Sequence, residues 1–178
     1  MRNPYLIGEK VYLRPLEEVD AAECHTWMND PEVRRTLARS GRPNTEAISR
    51  EWIRALDLQH DHVFAIMTRE ADLYIGNCGL HDINYVDGHA TLGIVIGRTD
   101  HWGQGLGSEA VRLLCRHAFD DLNLHKVCLA CYATNERGLR TYARVGFKVE
   151  GRRREQVFIE GRWVDDVLMG LLCGELQA

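Results

Sequence analysis

The chain has 178 residues, enough for one domain around one sizeable core. Its 45% hydrophobic and 27% charged residues are an ordinary soluble mixture. Its 22 basic against 26 acidic residues, a net charge of −4, disfavour nucleic acid as a partner and weakly favour a cationic substrate. The stretch Met1 to Glu9 lacks the apolar run of a signal peptide, and no segment reaches the ~18 apolar residues of a membrane span, so a cytoplasmic protein with no membrane partner is expected.

The first element is a strand, Lys10 to Leu16, alternating polar and apolar residues and closed by Pro15. Ala21, Ala22, Trp27 and Met28 give helical spacing to Glu17–Asn29. Asp30 caps a second helix with Pro31 at its first position, running to about Leu37. Ser40 to Asn44 reads as a loop, and Thr45 opens a helix to about Leu58 with Ile48, Trp52, Ile53 and Leu56 on one side.

Strands follow over His62–Thr68 and Leu73–Asn84, with a hairpin turn at Val86-Asp87-Gly88. Ala90 to Gly97 is nearly all apolar, as in a central strand covered on both faces. Ser108 to Leu122 is a helix with Val111, Leu114, Cys115, Ala118, Phe119 and Leu122 at steps of three and four. Val127 to Ala133 is a strand, and Asn135 caps a helix that Gly146 ends after Val145. Phe147–Phe158 and Trp163–Leu172 form a last hairpin. With no linker or repeat, residues 1–178 read as one α/β domain with a mixed sheet.

Cys128 and Cys131 form a C-x-x-C, but in a strand residues three apart point to opposite faces, so no metal or disulfide is expected there. His60-Asp61-His62 reads as a solvated turn, and Arg152-Arg153-Arg154 as sheet surface.

Between the apolar strand and its helix lies Trp102-Gly103-Gln104-Gly105-Leu106-Gly107. A strand, a glycine-rich loop and a helix start form an anion site, because backbone N–H groups and the helix dipole converge on the charge. A P-loop needs Gly-Lys, and Gln104 stands there instead. A dinucleotide fingerprint needs G-x-G-x-x-G and an acidic residue ~20 positions on, and both are missing. The loop alone fits an anion site or a plain tight turn equally well.

The wider chain resembles the GNAT acetyltransferase superfamily, in the branch of ribosomal-protein alanine and spermidine N-acetyltransferases. The resemblance is carried by Leu6–Leu16, Trp27–Val33, Leu92–Ile96, the glycine loop, Asn123–Val127, Asn135–Phe147 and Glu160–Trp163, in that order. The family loop is Arg/Gln-x-x-Gly-x-Gly/Ala; this chain matches both glycines and has Trp102 at the first position. The resemblance implies a mixed central sheet flanked by helices, with two splayed parallel strands forming an acetyl-CoA cleft. It implies acetyl transfer from acetyl-CoA straight to a primary amine of a protein N-terminus, polyamine or similar small molecule, without a metal.

Carried over residue by residue, the cofactor's pyrophosphate would lie on Trp102, Gly103, Gln104, Gly105, Leu106, Gly107 and Ser108. The pantetheine arm would lie along the backbone of Ile94, Val95 and Ile96, where one N–H would face the thioester oxygen. Asn135 would contact the same arm, a role that competes with helix capping. Tyr142 would protonate the leaving thiolate, which its ordinary pKa of about 10 permits. An acyl-enzyme is not expected, since no cysteine is foreseen at the pantetheine terminus.

Relatives often carry a glutamate base where this chain has Thr91. His81, Asp82, His89 and Glu32 are candidates, none assigned. Thr91 keeps a non-catalytic CoA-binding module open, and an amino sugar or aminoglycoside remains an alternative acceptor. Dimers are common among such relatives, so a homodimer is compatible.

Overall fold

A computed structural model describes residues 1–37 and 42–177. The strands are β1 (Leu6–Ile7), β2 (Val11–Pro15), β3 (His62–Thr68), β4 (Tyr74–Asn84), β5 (His89–Ile96), β6 (Lys126–Tyr132), β7 (Lys148–Ile159) and β8 (Arg162–Leu172). The helices are α1 (Ala21–Asn29), α2 (Pro31–Arg34), α3 (Glu46–Arg54), α4 (Leu106–Arg116) and α5 (Glu136–Val145). One sheet runs in the order β1-β2-β3-β4-β5-β6-β8-β7. Each neighbouring pair is antiparallel except β5 and β6, which are parallel.

The alternation of side chains divides the sheet into two faces. One face packs Leu80, Ala90, Leu92, Val127, Leu129, Val167 and Met169 against Val111, Leu114 and Cys115 of α4 and Val145 at the end of α5. The other gathers Tyr12, Ala65, Met67 and Tyr74 around Trp27 of α1. There Arg14 and Asp20 form a buried ion pair at 2.6 Å, the carboxylate taking both guanidinium nitrogens. Trp27 reaches the end of β5 because Gly97 has no side chain; a Cβ there would lie 2.0 Å from the indole.

Several boundaries differ from those expected. β1 is a two-residue strand with no periodicity to announce it. A 3-10 turn, Glu18–Asp20, precedes α1. Asp30 caps α2 as expected, accepting from the Glu32 and Val33 amides, yet α2 stops at Arg34 rather than near Leu37. α3 ends at Arg54, and the Asp57 carboxylate turns the chain by accepting from the Gln59 amide; Leu58 is left exposed. The loop expected at Ser40–Asn44 lies partly outside the described residues. α4 begins at Leu106 and closes in a π-turn over His117–Asp121. No described helix is long and apolar enough to cross a membrane.

Candidate active site

The parallel pair of strands makes a fork. β5 and β6 are in register at His89–Lys126, Ala90–Val127 and Thr91–Cys128, and there the pairing ends. β5 runs on to Ile96 along β4, with Cys78 opposite Ile94, Asn77 opposite Val95 and Gly76 opposite Ile96. β6 runs on along β8. Beyond Thr91 the edge of β5 that faces β6 therefore presents main-chain groups to an open wedge. Ile94, Val95 and Ile96 are half-buried and Ala130 across the wedge is exposed, so the expectation that this run is covered on both faces is corrected. The apolar side chains still serve the core, where Ile94 and Ile96 pack.

The glycine loop closes the wide end of the wedge. Gly103 and Gly105 both have left-handed backbone, with φ of 78° and 82°, which glycine adopts without a Cβ penalty. Gly105 is the N-cap of α4, no side chain caps this helix, and the first main-chain bond is from the Glu109 amide to the Gly105 carbonyl at 3.1 Å. The amides of Leu106, Gly107 and Ser108 therefore point out of the helix start, as the first turn of any α-helix requires. Leu106 sends its own side chain into the core. Lys10 Nζ donates to the Gln104 carbonyl at 3.4 Å, bringing a cation to the loop.

Trp102 anchors the loop to the fork. Its indole N–H donates to the Ile96 carbonyl at 2.8 Å, which occupies one of the main-chain acceptors at the wedge. Arg137, in the first turn of α5, stacks its guanidinium on the indole at 3.5 Å from the ring centroid. Sequence reasoning gave Arg137 no role; residues this far apart in the chain carry no local signal of contact. Burial lowers the Arg137 pKa, with Glu32 acting in the opposite sense. Asn135 caps α5, its side-chain oxygen accepting from the Gly138 amide at 3.0 Å. These residues line a cavity of about 590 Å³ with Glu32, Arg35, Ile159, Glu160, Arg162 and Val164. Arg35 and Glu160 bridge it at 2.6 Å, tying α2 to the tip of the β7–β8 hairpin.

Tyr142 lies on α5, half-buried, its ring edge-on to Phe147 at 5.9 Å. Burial, reinforced by Cys131, raises its pKa above the ordinary phenol value, so the hydroxyl keeps its proton. Two cysteines lie in this region. Cys128 sits where the fork closes, and Cys131 neighbours Tyr142. Neither is a ready nucleophile: burial pushes the Cys128 thiol up and the Cys131 thiol to about 11. Both lie in β6, three residues apart, Cys131 buried and Cys128 half-buried.

The four candidate bases scatter. Glu32 lines the cavity, Asp82 is exposed beside a register shift in β4, and His89 lies at the start of β5. His81 stands opposite Thr91 and bonds Asp61 at 3.1 Å. Of the triplet His60-Asp61-His62, His60 is exposed in the turn as expected, whereas His62 bonds His117 at 3.0 Å and Asp61 holds His81.

Residues 10–148 match the family model described as an acetyltransferase (GNAT) domain. The chain is 31% identical to an uncharacterized N-acetyltransferase of Bacillus licheniformis, covering 96% of this chain and 97% of the relative. It is 29% identical to the spermidine N(1)-acetyltransferase of Escherichia coli K12, covering 91% and 86%. The crystal structure of the Vibrio cholerae spermidine N-acetyltransferase in complex with CoA and spermine superposes with a TM-score of 0.84 at 25% identity, over 94% of this chain and 98% of that one.

Proposed function

The chain belongs to the acetyltransferase (GNAT) family, and from that premise we propose that it moves an acetyl group from acetyl-CoA directly to a primary amine held in the same complex. The observation that carries this reading is the fork: a parallel pair that parts after Thr91, beside an uncapped helix start. Acetyl-CoA, when bound, supplies an activated thioester. The amides from Gly103 to Ser108, with Trp102 and Gln104 in the loop, hold its pyrophosphate. Open space in front of Gly103 suits a close approach by phosphate oxygens. Arg137 on Trp102 restores, from α5, a cation at the loop position where the family motif has Arg or Gln.

The main chain of Ile94, Val95 and Ile96 orients the pantetheine arm. The Ile96 carbonyl already serves Trp102, so the arm relies on the remaining groups. The Asn135 oxygen caps α5, leaving its amide N–H groups to reach the arm. Tyr142 gives its proton to the departing thiolate. We take residues 1–178 as one catalytic domain needing no metal. Six unpaired cysteines suit the reducing cytoplasm.

The acceptor lies in the cavity between α2, α5 and the last hairpin. Its acidic Glu32, Glu136 and Glu160 face basic Arg35, Arg137 and Arg162, so its charge selects no single class of amine. The spermidine acetyltransferases among the relatives support testing polyamines first, with peptide N-termini next and amino sugars as the alternative. A homodimer accords with this family and is read by sedimentation. Thiol release with a panel of polyamines, N-terminal peptides and aminoglycosides tests the reading. Release that depends on one amine class is expected; none with any amine would leave a CoA-binding module without activity.

A further inference from the structure

Deprotonation of the incoming amine has no assigned group, because Thr91 stands where a carboxylate base would serve and an aliphatic hydroxyl cannot take the proton near neutral pH. Across the strand pair, however, His81 of β4 is in register with Thr91, the last residue of β5 paired to β6. Side chains two apart share a face, so His81, Gly79, Thr91 and Gly93 lie together on the face away from α4. Gly79 and Gly93 are directly opposite each other, and their missing side chains leave a slot bounded on the β3 side by Val63. The His81 ring lies in it: a Cβ at Gly79 would be 3.1 Å from Nε2, and one at Gly93 would be 3.4 Å from it. The ring thus leans from the Thr91 level towards the open part of the fork.

Asp61 decides the tautomer. A carboxylate only accepts, so the contact of Asp61 Oδ1 with His81 Nδ1 at 3.1 Å places the hydrogen on Nδ1. Nε2 then carries the lone pair, and it makes no hydrogen bond among the described residues. We infer that His81 is the general base of the acetyl transfer and Asp61 the residue that positions it. In the step, Nε2 takes the amine proton while the amine nitrogen forms its bond to the thioester carbonyl carbon. The carbon–sulfur bond breaks, and the thiol leaves with the proton of Tyr142. Besides Asp61, this face carries Lys126 and Glu150, committed to each other in an ion pair at 2.7 Å, and two groups without a charge partner: Cys128, held as thiol by burial, and His89, two residues before Thr91. Neither competes: Cys128 lacks the lone-pair charge of a thiolate, and His89 lies at the closed end of the fork.

This inference rests on the acetyltransferase reading, and the experiment separates the two. His81→Gln should lower kcat/KM about 100-fold or more and remove the acidic limb of its pH profile, as loss of a general base does. Its calorimetric affinity for acetyl-CoA and its thermal midpoint should match the wild type. Asp61→Asn, which keeps the ring in place, should lower kcat/KM about 10-fold and shift that limb. If both variants keep the wild-type rate and pH profile, His81 is not the base and the acetyltransferase reading stands. If His81→Gln loses acetyl-CoA binding along with activity, the ring is structural and the inference falls. If the wild type releases no thiol with any amine, the reading beneath it falls instead.

Discussion

Tyr142 and Asn135 each have a place in the fold and a proposed part in the chemistry. The ring of Tyr142 is part of the core, and the same burial keeps its hydroxyl protonated. Tyr142→Phe removes only the oxygen, so turnover should fall about 100-fold while the acetyl-CoA dissociation constant stays within a factor of about two, as expected when a group acts in the transition state alone. Unchanged turnover would remove the acid role. Asn135 separates its two duties by atom. Asn135→Asp keeps an oxygen for the Gly138 amide and loses the N–H donors, so acetyl-CoA should bind more weakly with no loss of melting temperature. Asn135→Ala should in addition cost about 1 kcal/mol of stability, the usual value of an N-cap. The capping role of Asn135 was legible from the helix pattern that follows it, and its proposed contact with the arm comes from the family resemblance alone. The Arg137–Trp102 stack and the Asp61–His81 bond were not, since each joins residues brought together by strand register and helix placement rather than by spacing along the chain.

At the scale of elements, the strongly periodic pieces were readable and the short ones were not. α5 runs from its predicted cap to its predicted glycine stop, where Gly146 has φ of 117°. α4 was expected from Ser108 but starts at Leu106, because Gly105 in the left-handed region serves as the cap without a side chain. The fork was invisible to hydropathy, which sees β5 as a central strand; the parting of β6 is a property of pairing. Beside the packing of Trp27, the buried Arg14–Asp20 pair ties the turn before α1 to β2. Asp20→Ala should lower unfolding free energy by about 3–5 kcal/mol, since it strands a buried guanidinium. Arg35→Ala, whose partner Glu160 is half exposed, should change it by less than about 1 kcal/mol. Urea denaturation measures both, and equal effects would contradict this division.

Over the whole molecule, stability should depend on a histidine chain outside the active site. His117 donates from Nδ1 to Asp121 at 2.7 Å, so its Nε2 accepts from His62 Nδ1 at 3.0 Å. Burial, then the neighbouring His117, lowers the His62 pKa below its ordinary value. A depressed folded pKa means that the unfolded chain takes the proton first as pH falls. Stability is therefore complete above about 6.5, the unfolded value, and declines as pH drops from there towards the folded pKa. The melting temperature should fall between pH ~7.5 and ~5.5, and His62→Gln should flatten that fall. An identical slope in the variant would remove His62 as its cause.

The same architecture puts the fork at the centre of the sheet, between the two helical faces, and everything proposed about catalysis depends on acetyl-CoA entering it. Calorimetric titration of the whole protein with acetyl-CoA tests this most directly. One molecule per chain should bind at micromolar concentrations, and binding should weaken when Gly105→Val forces a branched side chain into left-handed backbone at the helix start. No heat of binding at high micromolar acetyl-CoA, or undiminished binding by Gly105→Val, would contradict the placement of the cofactor on this loop.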